Sequence, residues 1–370
     1  MNIMMLLEMA TDAFGDRVAF TDSSAGSAIT YQELYNRSGH AAFNTRESGC
    51  SSLGILDVTS LAVPVALFAS AWSGVPFIPL NYRLTDTEIE ALLARMNNAY
   101  LVTDGERATS FEERTDLTVV TRDRFLQAES EQLADPWSMD PEDTAVLLFT
   151  SGTTGVPKAA VLRQKHLVSY ILGSVEFASA EEDETALVCV PPYHIAGIAA
   201  VLSSVYSGRR VVQLPNFAAT DWIDVARTEC ITTAFVVPTM LARIVEALEG
   251  ESSADMPHLR TLSYGGGKMP LAVLERAMQL FPEADLTNAY GLTETSSTIS
   301  VLGPEEHREA AASSDDTVRR RLVSVGRALP GIEIEIRDDD GGALEANVSG
   351  EIFVRGEQVS GEYEGIGHLV

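Results

Sequence analysis

Strand-length runs of mostly apolar residues recur along this chain, and helix-length segments separate them. Such runs belong to strands buried on both faces, which arise where helices cover a largely parallel sheet. Residues 145–149 are the clearest example. Residues 185–190, 210–214, 233–237, 261–264 and 285–290 continue the series. Between them, 165–177, 221–229, 238–248 and 271–280 read as helices, and 199–207 are small and apolar.

The first hundred residues show the same alternation. Residues 29–31 and 100–103 read as strands, and 33–42 and 62–72 as helices. Residues 75–80 read as a buried strand. Thr85 caps a helix over 86–96, with Glu88 closing a capping box. The expectation is an α/β fold with two helix-flanked, mostly parallel sheets. A length of 370 residues, at about 150 per unit, allows two or three structural units.

After residue 299 the character changes. Residues 303–321 are polar and charged and read as a mobile surface loop with short helical pieces. Ile332, Ile334 and Ile336 then alternate with Glu333, Glu335 and Arg337; 338–342 form a turn, and 351–355 alternate again, as in an antiparallel hairpin. The expected division is a large domain over 1–320, with both sheets, and an incomplete antiparallel β-barrel over 321–370.

Charge and composition exclude several functions. The formal charge is −27, so the basic footprint that nucleic acid requires is missing, and an acidic membrane surface is a poor partner. Cys50, Cys189 and Cys230 form no CxxC pair, which argues against a disulfide framework and for a reducing, cytoplasmic setting. Residues 1–17 lack a basic leader and include Glu8 and Asp12. The apolar stretch 61–80 is broken by Pro64, Gly74, Pro76 and Pro79. It reads as a buried helix leading into a strand, not as a transmembrane segment.

The most specific chemistry lies directly after the strand 145–149. Thr150, Ser151, Gly152, Thr153, Thr154, Gly155, Val156, Pro157 and Lys158 combine four hydroxyls, two glycines and a lysine. Glycines let a loop turn several N–H groups towards one anion, and the lysine adds charge, so the loop suits a polyphosphate. It is not a P-loop: Pro157 precedes the lysine and no hydroxyl follows it. On a chain this acidic, a nucleotide needs such local compensation, with a metal ion besides.

Three further segments carry candidate residues. His194 follows Pro191, Pro192 and Tyr193; from chemistry alone it serves as well for packing as for catalysis. Gly265, Gly266 and Gly267 end a strand, either as a tight turn or as a functional wall. In Asn288, Ala289, Tyr290, Gly291, Leu292, Thr293 and Glu294, the tyrosine can stack on a base, the threonine can donate to phosphate and the glutamate can hold Mg²⁺. Taken alone, the same residues also read as a strand end entering a helix, with Glu294 in its first turn.

In combination these segments resemble the adenylate-forming superfamily, which includes acyl-CoA synthetases, firefly-type luciferases and peptide-synthetase adenylation domains. TSGTTGVPK resembles its signature loop, and YGLTE its adenine and Mg–phosphate segment. Ile29, Thr30, Tyr31 and Leu34 are similar to its early ITYxEL segment, and 71–84 to its second. The resemblance implies an acyl-CoA synthetase type of enzyme that uses ATP, Mg²⁺ and coenzyme A. It implies nucleotide contacts at Thr150 to Gly155, Lys158, Gly265 to Gly267, Asn288 to Gly291 and Thr293, and a metal at Glu294. It implies catalytic roles for Lys158, His194, Thr293 and Glu294. It places Tyr193, His194, Pro238 and Thr239, with 263–266, beside the acyl pocket. No charged residue stands among those pocket positions, which favours an apolar acid, fatty or aromatic, over an amino acid.

The implied reaction joins a carboxylate to the α-phosphorus of ATP and releases pyrophosphate; coenzyme A then takes the acyl group. The run at 350–356, with 360–363, resembles the segment before the family's TGD motif. The chain stops at Val370, before that aspartate and before the family's small C-terminal domain with its catalytic lysine. The expectation is a truncated chain holding the large N-terminal domain alone, with weak nucleotide binding and little full turnover. The alternatives are a non-catalytic nucleotide- or acyl-binding module and an adenylation domain that loads a carrier protein.

Overall fold

The computed structural model describes residues 1–96, 98–130, 132–150 and 157–368. Among the described residues, one sheet has nine strands, in the order 327–328, 297–302, 285–292, 261–265, 233–236, 185–188, 210–213, 18–22 and 27–30. Its central strands are parallel and its edges antiparallel. A second sheet has eight, in the order 367–368, 362–363, 158–163, 144–150, 77–79, 52–56, 99–103 and 117–121. Glu333–Arg337 and Glu351–Arg355 form a separate antiparallel hairpin with Ile334 opposite Val354.

Burial explains this layering. The strands Ser52–Leu56 and Ala99–Thr103 are buried at every position, as expected of central parallel strands. One core joins Phe20 and Val211 of the nine-stranded sheet to Leu53 and Phe77 of the other, with residues of the helices Met4–Phe14, Ala62–Ser73 and Ile195–Ser207 filling the gap. A second core packs Trp222, Leu241 and Leu274 beneath the nine-stranded sheet. A third packs Ile89, Leu92 and Leu93 on the outer face of the eight-stranded sheet.

Local signals translate directly into structure. Thr85 accepts from the backbone N–H of Glu88, and the Glu88 carboxylate accepts from the N–H of Thr85. The capped helix runs over Asp86–Leu93, shorter than the expected 86–96. The stretch 61–80 becomes the twelve-residue helix Ala62–Ser73, closed by Gly74 at φ 81, and then the strand Phe77–Pro79. Among the described residues no helix is long and apolar enough to cross a membrane.

Residues 303–321 differ from the mobile loop expected of them. Pro304–Ala312 is a helix with proline in its first turn, and Asp316–Arg319 and Arg320–Val323 are short helical turns. Ala310 and Leu322 belong to the second core. His307 is also buried: its Nδ1 lies 2.7 Å from the Gly303 carbonyl oxygen and its Nε2 lies 2.9 Å from the Tyr264 hydroxyl. The polar composition conceals one buried stripe on an otherwise wet helix.

Candidate active site

The parallel strands of the nine-stranded sheet deliver their carboxyl ends to one edge, the usual place for a ligand in an open α/β sheet. Along the central strands, Ala234, Val236, Leu262 and Tyr264 enter the second core. The alternate residues Thr233, Phe235 and Ser263 are only partly buried and turn to the other face. The helix Ile195–Ser207 lies over that face. Its Ala196, Ala200 and Ser203, spaced i, i+4 and i+7, are too small to fill the space.

The result is a cavity of about 1250 Å³. Thr150, Lys158, Thr293, Glu294 and Tyr363 line one end. Gly266, Gly267, Pro238, Thr239 and the exposed His194 line its middle. It continues past Phe235, Ala200 and Ser203 to the exposed Ser174, Glu176 and Ser179, with Arg209 also in the wall.

Glycine is a steric requirement at two points. A Cβ on Gly265 would stand 2.1 Å from the Ala289 carbonyl oxygen, and one on Gly291 would stand 1.7 Å from that of Ser297. Beyond Gly291 the chain enters the 3₁₀ turn Thr293–Thr295, which carries Glu294. Ser296 and Ser297 then hold positive φ angles of 54° and 108°. Left-handed backbone at non-glycine residues is strained and concentrates at functional sites.

Of the phosphate-loop candidates, Ser151, Gly152, Thr153, Thr154 and Gly155 lie outside the described residues. The flanking Thr150 and Lys158 pair across the antiparallel strands Thr144–Thr150 and Lys158–Arg163. Arg95 anchors this base. Its guanidinium lies 4.8 Å from the Phe149 ring centroid and donates to the Pro157 carbonyl at 2.6 Å. Lys158 Nζ sits 5.5 Å from the ring centroid of Tyr363.

The structure gathers Thr150, Lys158, His194, Pro238, Thr239, Gly266, Gly267, Ala289, Gly291, Thr293 and Glu294 around one cavity. It sets four other candidates outside the cavity wall. Tyr193 packs edge-on against Tyr82 at 5.5 Å and also touches the His194 ring. Asn288 donates to the Ser324 carbonyl at 2.9 Å. Gly265 presses on Ala289, and Tyr290 is partly buried between the lining residues Ala289 and Gly291. Lys268, which no sequence signal singled out, and Tyr363, noted only as part of the 360–363 segment and not as a site residue, join the wall.

Electrostatics distinguish two of these groups. His194 keeps part of its surface exposed, but partial desolvation of its ring by the surrounding atoms, and then the Arg83 guanidinium, holds it below the ordinary histidine pKa, so the neutral ring prevails at pH 7. Burial, reinforced by Glu294, pushes the Tyr363 phenol up to about 12, so it remains a donor. Among the described residues no cluster of three His, Cys, Asp or Glu forms a metal cage. A single carboxylate at the end of a cavity fits Mg²⁺, which binds through one or two carboxylates together with substrate phosphates.

A family model described as AMP-binding enzyme matches residues 7–364. The chain belongs to that family. Among curated AMP-binding relatives, it is 27% identical over 355 residues to the fatty acid–[acyl-carrier-protein] ligase ScoC of Streptomyces coeruleorubidus, covering 92% of this chain and 66% of that protein. It is 29% identical over 345 residues to the 2-succinylbenzoate–CoA ligase of Bacillus subtilis, covering 90% of this chain and 66% of that one. The chain thus spans just under two thirds of the length of these relatives. Among solved structures, the B. subtilis o-succinylbenzoate CoA synthetase in complex with ATP and magnesium ion superposes with TM-score 0.83 at 26% identity, covering 97% of this chain and 72% of that one. The luciferase-like enzyme of the Zophobas morio mealworm shares the fold, with TM-score 0.85 at 22% identity over 99% of this chain and 88% of that one.

Proposed function

We propose that this protein activates an apolar carboxylic acid, fatty or aromatic, with ATP, and that the thiol of coenzyme A then takes the acyl group. One observation carries this reading. A single cavity runs from Lys158 and Glu294 into a mostly small and apolar bore between the helix Ile195–Ser207 and the nine-stranded sheet. From Ala196 to Ser203 the helix alone covers about 10 Å of that bore. Its length and mostly apolar lining suit an extended acyl chain.

In the first half-reaction a carboxylate oxygen attacks the α-phosphorus of ATP. A carboxyl–phosphate bond forms, the bond to the β-phosphate bridge breaks, and pyrophosphate leaves. Lys158 and the loop that precedes it balance the phosphate charge, and Thr293 donates a hydrogen bond to a phosphate oxygen. His194, neutral and at the middle of the cavity, orients the carboxylate. Glu294 would hold Mg²⁺, which when bound would supply charge screening at the phosphates. Positioning and charge stabilisation supply the catalysis, since phosphoryl chemistry asks little covalent work of the protein. In the second half-reaction the thiolate displaces AMP from the acyl carbon. The name of the Streptomyces relative supports a carrier-protein thiol as an alternative acceptor.

The test is calorimetric binding of non-hydrolysable acyl-sulfamoyl adenosines with short, long and aromatic acyl groups, beside acid-dependent ATP–pyrophosphate exchange. The long straight-chain and aromatic analogues are expected to bind more tightly than the acetyl analogue. Equal affinity for all of them, or preference for an aminoacyl analogue, overturns the assignment of the bore. Failure to bind any of them overturns the whole reading.

A further inference from the structure

Residues 358–363 cross from one sheet to the other at the Glu294 end of the cavity. On one side Gln358 Nε2 donates to the carbonyls of Thr295 at 3.0 Å and Thr298 at 2.8 Å. The N–H groups of Ser360 and Gly361 donate to the Glu294 carbonyl at 2.8 and 3.2 Å. On the other side Tyr363 pairs with Ala160 of the strand Lys158–Arg163, and Arg163 holds Glu362 through bonds of 2.9 and 2.7 Å. The segment therefore fastens the turn carrying Glu294, in the nine-stranded sheet, to the base of the Lys158 hairpin in the eight-stranded sheet.

Tyr363 stands at the crossing. Its hydroxyl donates to Glu294 Oε1, its ring lies beneath Lys158 Nζ, and the Thr150 side chain reaches the same hydroxyl. The fastening itself uses backbone groups, Gln358 and the Arg163–Glu362 pair, none of which needs a phenol at 363. Among the described residues Glu294 has no ion-pair partner, so the phenol is the polar contact that fixes its carboxylate. A ligating carboxylate is commonly oriented by a hydrogen bond from a residue that does not touch the metal.

We infer that Tyr363 is a positioning residue for the divalent cation: its hydroxyl presets the Glu294 carboxylate beside Lys158 and Thr150, where the nucleotide phosphates are bound. This rests on the proposed reading of Glu294 as the carboxylate that holds the cation.

The experiment compares wild-type protein, Tyr363→Phe and Glu294→Gln. Mn²⁺ binding in the presence of ATP is followed by electron paramagnetic resonance, and AMP binding without metal by calorimetry. Tyr363→Phe is expected to weaken Mn²⁺ binding about 10–100-fold and to leave AMP affinity unchanged. Unchanged Mn²⁺ affinity in Tyr363→Phe, with clear loss in Glu294→Gln, overturns the inference alone. Equal loss of Mn²⁺ and AMP binding in Tyr363→Phe makes the residue merely structural and also overturns it. Unchanged Mn²⁺ affinity in Glu294→Gln overturns the reading of Glu294 itself.

Discussion

Gly265 lies against the backbone of Ala289 so closely that a Cβ there would stand 2.1 Å from the Ala289 carbonyl oxygen. The obstruction is backbone, so no side chain can swing aside. Gly265→Ala must separate two paired strands at the cavity wall, with an expected loss of at least about 1–3 kcal/mol in urea unfolding and weaker nucleotide binding. At Gly267 a Cβ would meet only the Pro238 ring, at 3.7 Å. Gly267→Ala is therefore expected to leave the unfolding midpoint nearly unchanged, and an equal effect of the two variants would refute the argument.

Ala200 tests the bore. It is partly buried and lines the cavity midway along the helix Ile195–Ser207. Ala200→Phe is expected to reduce affinity for long acyl-sulfamoyl adenosines at least tenfold, an effect of about 1.4 kcal/mol, while the acetyl analogue and AMP bind as before. Calorimetry with the three ligands separates a blocked bore from a damaged fold.

His166 makes stability sensitive to acid. Burial, then Lys165 and Arg163, lowers its pKa from 6.5 to about 4, while Glu142 and Glu362 pull weakly the other way. Its Nδ1 accepts the Arg163 backbone N–H at 3.2 Å, which requires the unprotonated nitrogen. The unfolded chain takes up this proton first, so stability declines as pH falls from about 6.5 to about 4. The decline attributable to this group is about 3 kcal/mol. Urea unfolding at pH 7 and pH 4.5 is expected to show a smaller acid loss for His166→Gln than for the wild type.

Tyr264 and His307 form a buried pair whose proton positions follow from their partners. The Gly303 carbonyl can only accept, so His307 Nδ1 carries the proton and Nε2 accepts from the Tyr264 hydroxyl. Tyr264→Phe leaves Nε2 buried without a donor, at an expected cost of about 1–3 kcal/mol in urea unfolding. Tyr264→Phe combined with His307→Leu is expected to recover part of that loss, because neither partner is then left unsatisfied.

The sheets were legible in the sequence because their strands are continuous apolar runs, and the cavity end was legible because TSGTTGVPK and YGLTE concentrate rare chemistry. The helix Pro304–Ala312 was not. Its buried stripe rests on His307 and Ala310, too small a signal among Glu305, Glu306, Arg308 and Glu309. Tyr363 was equally hidden, since its importance comes from reaching Glu294, 69 positions away. The bore followed from an absence of bulk at Ala196, Ala200 and Ser203, which means nothing until the facing sheet is known.

The strand Val18–Asp22 finds its parallel neighbour in Arg210–Gln213. Six strands of the eight-stranded sheet, from Ser52–Leu56 to Lys158–Arg163, are encoded between those two partners. On the ribosome that sheet has most of its strands in hand first, while the opening strand waits for a mate nearly two hundred residues downstream. The nine-stranded sheet must therefore close across a long intervening segment, and non-local closure of this kind makes folding slow. The chain passes between the two sheets three times, after Thr30, after Arg163 and again before Glu362, so each layer contains segments encoded on both sides of the other.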